Sequence, residues 1–583
     1  MRFALLWHGH QNLSTRPLKA HSVETSGFDY IIVGAGAAGC VLASRLTADR
    51  ATKVLLLEAG PDHPPGQEHA AIRDPYPTAL GHPSFNWPRV TAQVGADLGG
   101  GKPRFSRHYL QGYGVGGGSN IQGMVAFRGY PQDYDGWRQA GAVGWGWDDV
   151  LPYFRRLEKD LDFDGPLHGR DGPIPIRRIK PEHWAPFSKA FAECAKARGY
   201  PLVEDFNADF RAGIGPLPMA NLPNQRVSAS MGYLDATVRR RPNLVILPKT
   251  RVECIQLRGR TAIGVAASTP RGRELFSGHQ IIVSAGALHS PAILLMSGIG
   301  PGQHLKEQGI EVACDLSGVG QRLANHVGMA IAAHLPRHAV QPATQRGFGQ
   351  SCLRFSSGVE GPENDMIMVA INKTAWHPLG RRIGALGFEV HKTYSRGEVR
   401  LRSPDATIPP EVKFNLLSDA RDIARMTVGL RLCLDIFADT RMTPAMNEVF
   451  LPNGKIVRSL GQRNVRNWIR AEVMGWALEA GLIRRTLMGR STLDVKALVR
   501  DPATLRQMVL QRADPRHHVS CTCRMGRPDD KGAVVDPDCR VIGVENLRVI
   551  DASIMPTLVR ANTHIPVLMI AEKMAAQIQA ASR

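Results

Sequence analysis

Short apolar runs that stop at a glycine recur along this chain, and each reads as a strand delivering the backbone into a tight turn. The clearest is Phe28 to Gly39, FDYIIVGAGAAG, which predicts strand, glycine turn and small-residue helix. A second run, Lys53 to Leu57 (KVLLL), ends at Glu58. Leu244 to Leu247 (LVIL), Val252 and Ile281 to Ala285 (IIVSA) are further strands bounded by Pro, Arg and Gly, and from Gly286 the stretch GALHSPAILLMSGIG repeats the turn-to-helix pattern, ending at Gly298 and Gly300. Together they describe an α/β nucleotide-binding domain.

Between these pieces the texture varies. Ala59 to about Arg107 is rich in Pro, His and Gly without periodicity and predicts a long surface excursion. Asp135 to Glu158 sets tryptophans around glycine turns and runs into an amphipathic helix carrying Leu151, Phe154 and Leu157, which we read as core packing. From about residue 331, arginine-rich strand-like segments such as Gly397 to Ser403 alternate with longer helical patterns, marking a second domain. Asn464 to Arg490 is helical, with Trp468, Val473, Trp476 and Leu478 among arginines; it predicts a core-facing helix with a solvated side, the rival being a helix lying on a membrane. Asn546 to Ile550 is another buried strand, and Pro566 to Ile578 a helix with proline in its first turn.

Composition narrows the classes. A chain of 583 residues, 43% hydrophobic, suits at least two domains. The net charge of +20 would suit an anionic partner, but no Lys/Arg block is longer than Arg239 to Arg241, so we read a solvated basic surface and expect no nucleic acid. Nine scattered cysteines argue against a disulfide framework and for a reducing cytoplasm. Cys521 and Cys523 follow His517 and His518, but lack zinc-site spacing, so no metal is expected. The apolar patch Phe3 to Trp7 is too short for a signal sequence, leaving residues 1–27 as a loose extension, and no apolar run approaches a membrane span.

The chemistry-bearing stretches are glycine-rich. Gly34, Gly36 and Gly39 form G-x-G-x-x-G: a tight turn, close approach to a pyrophosphate, and close helix packing. Glu58, about 20 residues on, is where an acid binds a ribose hydroxyl. GYGVGGG at Gly112 to Gly118, followed by Ser119, Asn120, Ile121, Gln122 and Gly123, predicts a buried loop walling a flat cofactor.

With DYIIVGAGAAGCVLASRL, VLLLEAG, VGGGSNIQGM, DYDGWRQAGAVGWGWDDVLPYFRRLE, SAGALHSPAILLMSGIGP, GVGQRLANH, SRGEVRLRSPD, HHVSCTCRMG, VVDPDCRVIGVENLRVIDASIMP and NTHIPVLMIAEK in order, the chain resembles the glucose-methanol-choline family of flavin oxidoreductases from Phe28 almost to its end. The resemblance implies an α/β, Rossmann-like FAD-binding domain with a second α+β substrate domain of antiparallel sheet plus helices. The expected division is 1–27 extension, 28–330 FAD-binding, 331–525 substrate-binding and 526–583 a return to the FAD domain. It implies FAD contacts at Gly34, Gly36, Gly39, Glu58, Gly116, Gly117, Ser119, Asn120, Gln122, Val252, Asp551, Ala552 and Thr563. His518 falls at the family's catalytic base and His564 at the partner position. One group takes the hydroxyl proton of an alcohol while the other orients its oxygen and hydride leaves for the flavin. His517, adjacent in extended chain, is expected to point away.

Departures from the family pattern are also informative. Ile121 stands where some relatives join histidine covalently to flavin, so FAD is expected to be noncovalent. Gln122 replaces the usual asparagine, Arg322 and Asn325 replace Asn and Asp, and Cys521 stands where glycine is common, adding a side chain beside the base that would narrow or reshape the substrate pocket. The expected function is FAD-dependent alcohol oxidation to an aldehyde or ketone, with oxygen or a quinone as acceptor. The partner is thus a small-molecule alcohol, in a cytoplasmic protein with peripheral membrane contact left open. The rival is cyanohydrin cleavage of the hydroxynitrile lyase type on the same fold. Intact His518 argues against a photodecarboxylase. A quaternary ammonium substrate would want an aromatic cage, for which Trp376, Trp468 and Trp476 are on offer.

Overall fold

A computed structural model describes residues 27–95, 105–452, 459–461, 463–489 and 491–582. The expected N-terminal extension therefore lies, apart from Gly27, outside the described residues.

Strand Phe28–Val33 (β1) runs parallel between Val54–Leu57 (β2) and the long strand Gly272–Val283, with Ile31 opposite Leu55 on one side and Ile281 on the other. Leu244–Leu247 extends the sheet beyond β2, and Leu547–Val549, near the far end of the chain, pairs with the last residues of Gly272–Val283. The runs are apolar without alternation because this parallel sheet is covered on both faces. One cover is the pair formed by helix Ala37–Leu46 (α1) and the C-terminal helix His564–Ala581. They are tied by Arg45 to the fully buried Glu572 at 2.7 Å, with the Tyr233 hydroxyl donating to the same carboxylate. The first half of Gly272–Val283 instead pairs antiparallel with Thr261–Thr269, which pairs with Arg251–Arg258.

The second layer is antiparallel: Val449–Phe450, Val327–His334, Ile383–Val390, Met366–Ile371, Gly349–Phe355 and Gly213–Pro216, in that order. Helix Ala420–Phe437 packs across it. The stretch after Glu58 is no mere surface excursion. Ala71, Ile72, Ala79 and Phe85 form a small core with Ile121, and Thr91–Gly95 joins a five-stranded sheet beside Glu411–Leu416. Its apolar residues are too irregularly spaced to announce this.

The Trp-rich segment forms two helices, Pro131–Gln139 and Trp147–Leu157. Trp137 and Trp145 are fully buried, and their indole N–H groups donate to the Thr557 and Pro537 carbonyls at 2.9 and 2.8 Å, tying this segment to the chain's end. Phe154 and Leu157 face the core with Val150, whereas Leu151 is only half-buried.

The expectation of one core-facing helix over Asn464 to Arg490 fails. There are two helices, Val465–Ala477 and Gly481–Met488; Trp468, Val473 and Trp476 point outward, whereas Met474 and Leu478 pack inward against Leu379 and Leu460. The inward face of the first holds Asn467, Ala471 and Gly475, small enough for close approach to Arg382. All nine cysteines are free, Cys521 and Cys523 being buried. No described helix is long and apolar enough to cross a membrane.

Candidate active site

One cavity of ≈ 520 Å³ runs from the β1 turn to His518 and His564. Its glycine end is shaped by sterics. Gly34 has φ +98°, and a Cβ there would lie 2.7 Å from the Ser284 carbonyl oxygen. A Cβ on Gly117 would lie 2.8 Å from the Gly36 Cα, so the two glycine loops touch as bare backbone. Helix α1 begins here with no side-chain cap, leaving N–H groups open to the cavity as an anion site. Glu58 is buried beside them, accepting from the N–H groups of Ala35, Gly60 and Gly114 at 3.0, 2.8 and 3.2 Å. Burial raises its pKa, while these N–H groups oppose the shift. A cradle of bare backbone, open amides and a buried acid fits the pyrophosphate and ribose of a dinucleotide.

Of the thirteen expected cofactor contacts, Gly34, Gly36, Glu58, Gly117, Ser119, Gln122, Val252, Asp551, Ala552 and Thr563 line the cavity. Gly39, Gly116 and Asn120 do not. Gly39 packs against the Gly34 backbone. Gly116 donates its N–H to the Ala35 carbonyl, and the Asn120 side chain donates to Val115. These residues hold the cradle's shape from behind. Asp551 lines the cavity but spends its carboxylate on the Gly286 and Ser553 N–H groups and the hydroxyls of Ser290 and Ser553.

At the other end, hydrogen bonds determine the tautomer of His518. His326, fully buried, points Nε2 at the carbonyls of His391 and Val559, 3.0 and 3.1 Å away, so Nε2 carries the proton and Nδ1 the lone pair. His518 Nδ1 lies 2.9 Å from that lone pair and must donate to it. The lone pair of His518 is therefore on Nε2, where the Asn562 amide donates to it at 2.9 Å. Asn325 fixes the backbone by accepting from the His518 N–H at 3.1 Å. Burial pulls the His518 pKa down to about 4, opposed by the nearby Glu389 carboxylate. Glu389 reaches to 4.0 Å from His518 Nδ1 and pairs with Arg516 at 3.4 Å.

His564 also lines the cavity, its Nε2 buried with no hydrogen-bond partner. Burial and then Arg226 lower its pKa to about 3. It opens the 18-residue C-terminal helix, whose first turn has no side-chain cap and faces the cavity at Thr563, His564 and Val567.

Two expectations are corrected and one open question is answered. His517 does not point away: it lines the cavity as well, with Nδ1–H donating to the Leu110 carbonyl at 3.1 Å and its ring tilted against Tyr109. The local chain is not a regular strand, so alternation does not apply. Cys521 does not narrow the cavity. Its φ of +72° suits the glycine expected there, and its buried thiol meets the Ser520 hydroxyl, not the cavity. None of Trp376, Trp468 and Trp476 lines the cavity, the last two being exposed. The aromatic lining is Trp87 and Phe348.

Glu389, His326, Arg516 and Asn562 escaped sequence reasoning as site residues. His326 and Asn562 sit inside the stretches GVGQRLANH and NTHIPVLMIAEK and could have been flagged there; Glu389, on a strand of the antiparallel sheet, offered no such signal.

The profile of the GMC oxidoreductase family matches residues 28–328 and 393–571. The 5-(hydroxymethyl)furfural oxidase of Methylovorus sp. (strain MP688) is 39% identical over 560 residues, covering 94% of this chain and 98% of that protein. The mitochondrial choline dehydrogenase of Homo sapiens is 32% identical, covering 97% and 92%. Among solved structures, pyridoxine 4-oxidase from Mesorbium loti has a TM-score of 0.78 at 27% identity, covering 95% of this chain and 99% of that one.

Proposed function

The chain belongs to the GMC oxidoreductase family, a family of FAD-binding alcohol oxidases and dehydrogenases, and on that premise we propose that His518 is the base that takes the hydroxyl proton of a primary or secondary alcohol. Bound FAD supplies the hydride acceptor. The observation that carries the proposal is the Nε2 lone pair of a neutral His518 in the cavity wall. A substrate hydroxyl replaces the Asn562 amide at Nε2 and donates to it. As His518 gains the proton, Glu389 offsets the new charge through Nδ1. His564, its Nε2 unpartnered, orients the same oxygen. The uncapped helix behind it favours negative charge at that end of the cavity.

With Ile121 packed among Ala71, Ile72, Ala79 and Phe85, no histidine stands there to hold FAD covalently, which supports noncovalent binding. Names of relatives suggest alcohols as varied as 5-(hydroxymethyl)furfural and choline, and here the cavity offers apolar Phe348, Val369 and Ile371 beside Glu389.

The test is anaerobic bleaching of the yellow holoenzyme by a panel of alcohols. His518→Ala should slow flavin reduction by about 10²–10⁴-fold without loss of flavin, and acid precipitation of the wild type should release the flavin. Wild-type reduction rates in His518→Ala would sink the assignment, and cyanide release without bleaching would favour the lyase reading. Readmitted oxygen then identifies the acceptor.

A further inference from the structure

Fifteen large apolar residues are exposed among the described residues, and eight of them lie between Val465 and Leu487. On helix Val465–Ala477 they are Val465, Trp468, Ile469, Val473 and Trp476, whose spacing of three and four residues places them on one face. Helix Gly481–Met488 adds Leu482, Ile483 and Leu487, with Leu482 84% exposed. The helix has a second apolar face besides the one that meets the protein: Ala471, Met474 and Leu478 pack inward while the tryptophans face out. Scattered exposed leucines need no explanation, but a continuous apolar face does.

Arginines outnumber acids beside this face. Arg466 and Arg470 are exposed along one edge of the stripe, and Arg485 stands 77% exposed on the second helix. Glu479 is paired with Arg382, and Glu472, the acid within the stripe, accepts from the Trp476 indole N–H at 2.9 Å while keeping its charge. Arg337 lies over the Trp476 ring at 4.5 Å. We infer that these two helices dock the protein on the surface of an anionic lipid bilayer, burying the apolar face at headgroup depth with the arginines on lipid phosphates. Tryptophan suits that boundary, being apolar with one polar handle. Two copies of the face brought together would crowd Arg466, Arg470 and Arg485 of each with only Glu472 of each to offset them. No described helix is built to span the membrane, so the contact lies on the bilayer.

The holoenzyme should co-sediment with vesicles of phosphatidylcholine and phosphatidylglycerol (7:3), bind pure phosphatidylcholine vesicles at least tenfold more weakly, and be released by 0.5 M NaCl. Val473→Glu/Leu482→Glu, both at exposed positions, should lower binding to the anionic vesicles at least tenfold while leaving flavin content and turnover of a soluble alcohol unchanged. Arg466→Ala/Arg470→Ala should reduce binding without altering the apolar face. The inference is overturned if wild type ignores anionic vesicles, if the double-Glu variant binds like wild type, or if light scattering shows that the variant dissociates a wild-type dimer, which would make the face an interface between copies.

Discussion

His518 carries its lone pair on Nε2 because two carbonyl oxygens hold a proton on His326, so the state of the proposed base is decided by its neighbour in space. Burial lowers the His518 pKa to about 4, and neutral His518 is the form that accepts a proton. The acid limb of kcat/KM should therefore fall near pH 4, well below histidine's ordinary value. Glu389 opposes the shift, so Glu389→Gln should move the limb to still lower pH and slow the step. A limb near 6.5 in both proteins, measured as anaerobic flavin reduction against pH, would contradict this account. His518 and His564 were legible in the sequence through their surrounding motifs. Glu389 and His326 were not recognised: they come from strands and loops 192 and fewer residues away, and no spacing rule joins them to His518.

At the scale of elements, glycine turns were legible because their requirement is steric and local, whereas Val465–Ala477 was misread because periodicity gives the faces of a helix but not which one meets the protein. A buried ion cluster was equally hidden. His168 lies 3.1 Å from Glu158, 3.2 Å from Asp160 and 2.9 Å from Asp205, with Arg128 and Arg178 bonded to the same carboxylates. Both ring nitrogens face carboxylates, so the ring is an imidazolium, and its pKa is raised to about 10 by Asp160, Asp205 and Glu158 against the cost of burial. The cluster ties strand Glu158–Asp160 to the Arg128 and Asp205 loops. Removing one member leaves uncompensated buried charge, so His168→Gln should cost about 3–5 kcal/mol in urea unfolding. A loss below ~1 kcal/mol would mean that the two arginines suffice.

For the whole molecule these titrations combine with opposite signs. His168 binds its proton more tightly folded than unfolded, so its contribution is complete below pH 6.5 and lost as pH rises toward 10. His289, His334, His518 and His564 are held neutral, with pKa values lowered to about 4, 4, 4 and 3 by desolvation. Between those values and 6.5 the unfolded chain binds more protons, so their contribution is complete above pH 6.5 and lost as pH falls. Acidification also adds to a net charge already at +20, increasing self-repulsion. The holoenzyme's Tm should therefore peak near pH 6.5–7 and fall more steeply on the acid side, where several histidines titrate together, than between pH 7 and 9, where His168 acts. His168→Gln should flatten the alkaline limb and leave the acid limb in place. A Tm still rising from pH 6.5 to 4 would refute neutral burial of the histidines, and an unchanged alkaline limb in the variant would refute the charged state of His168.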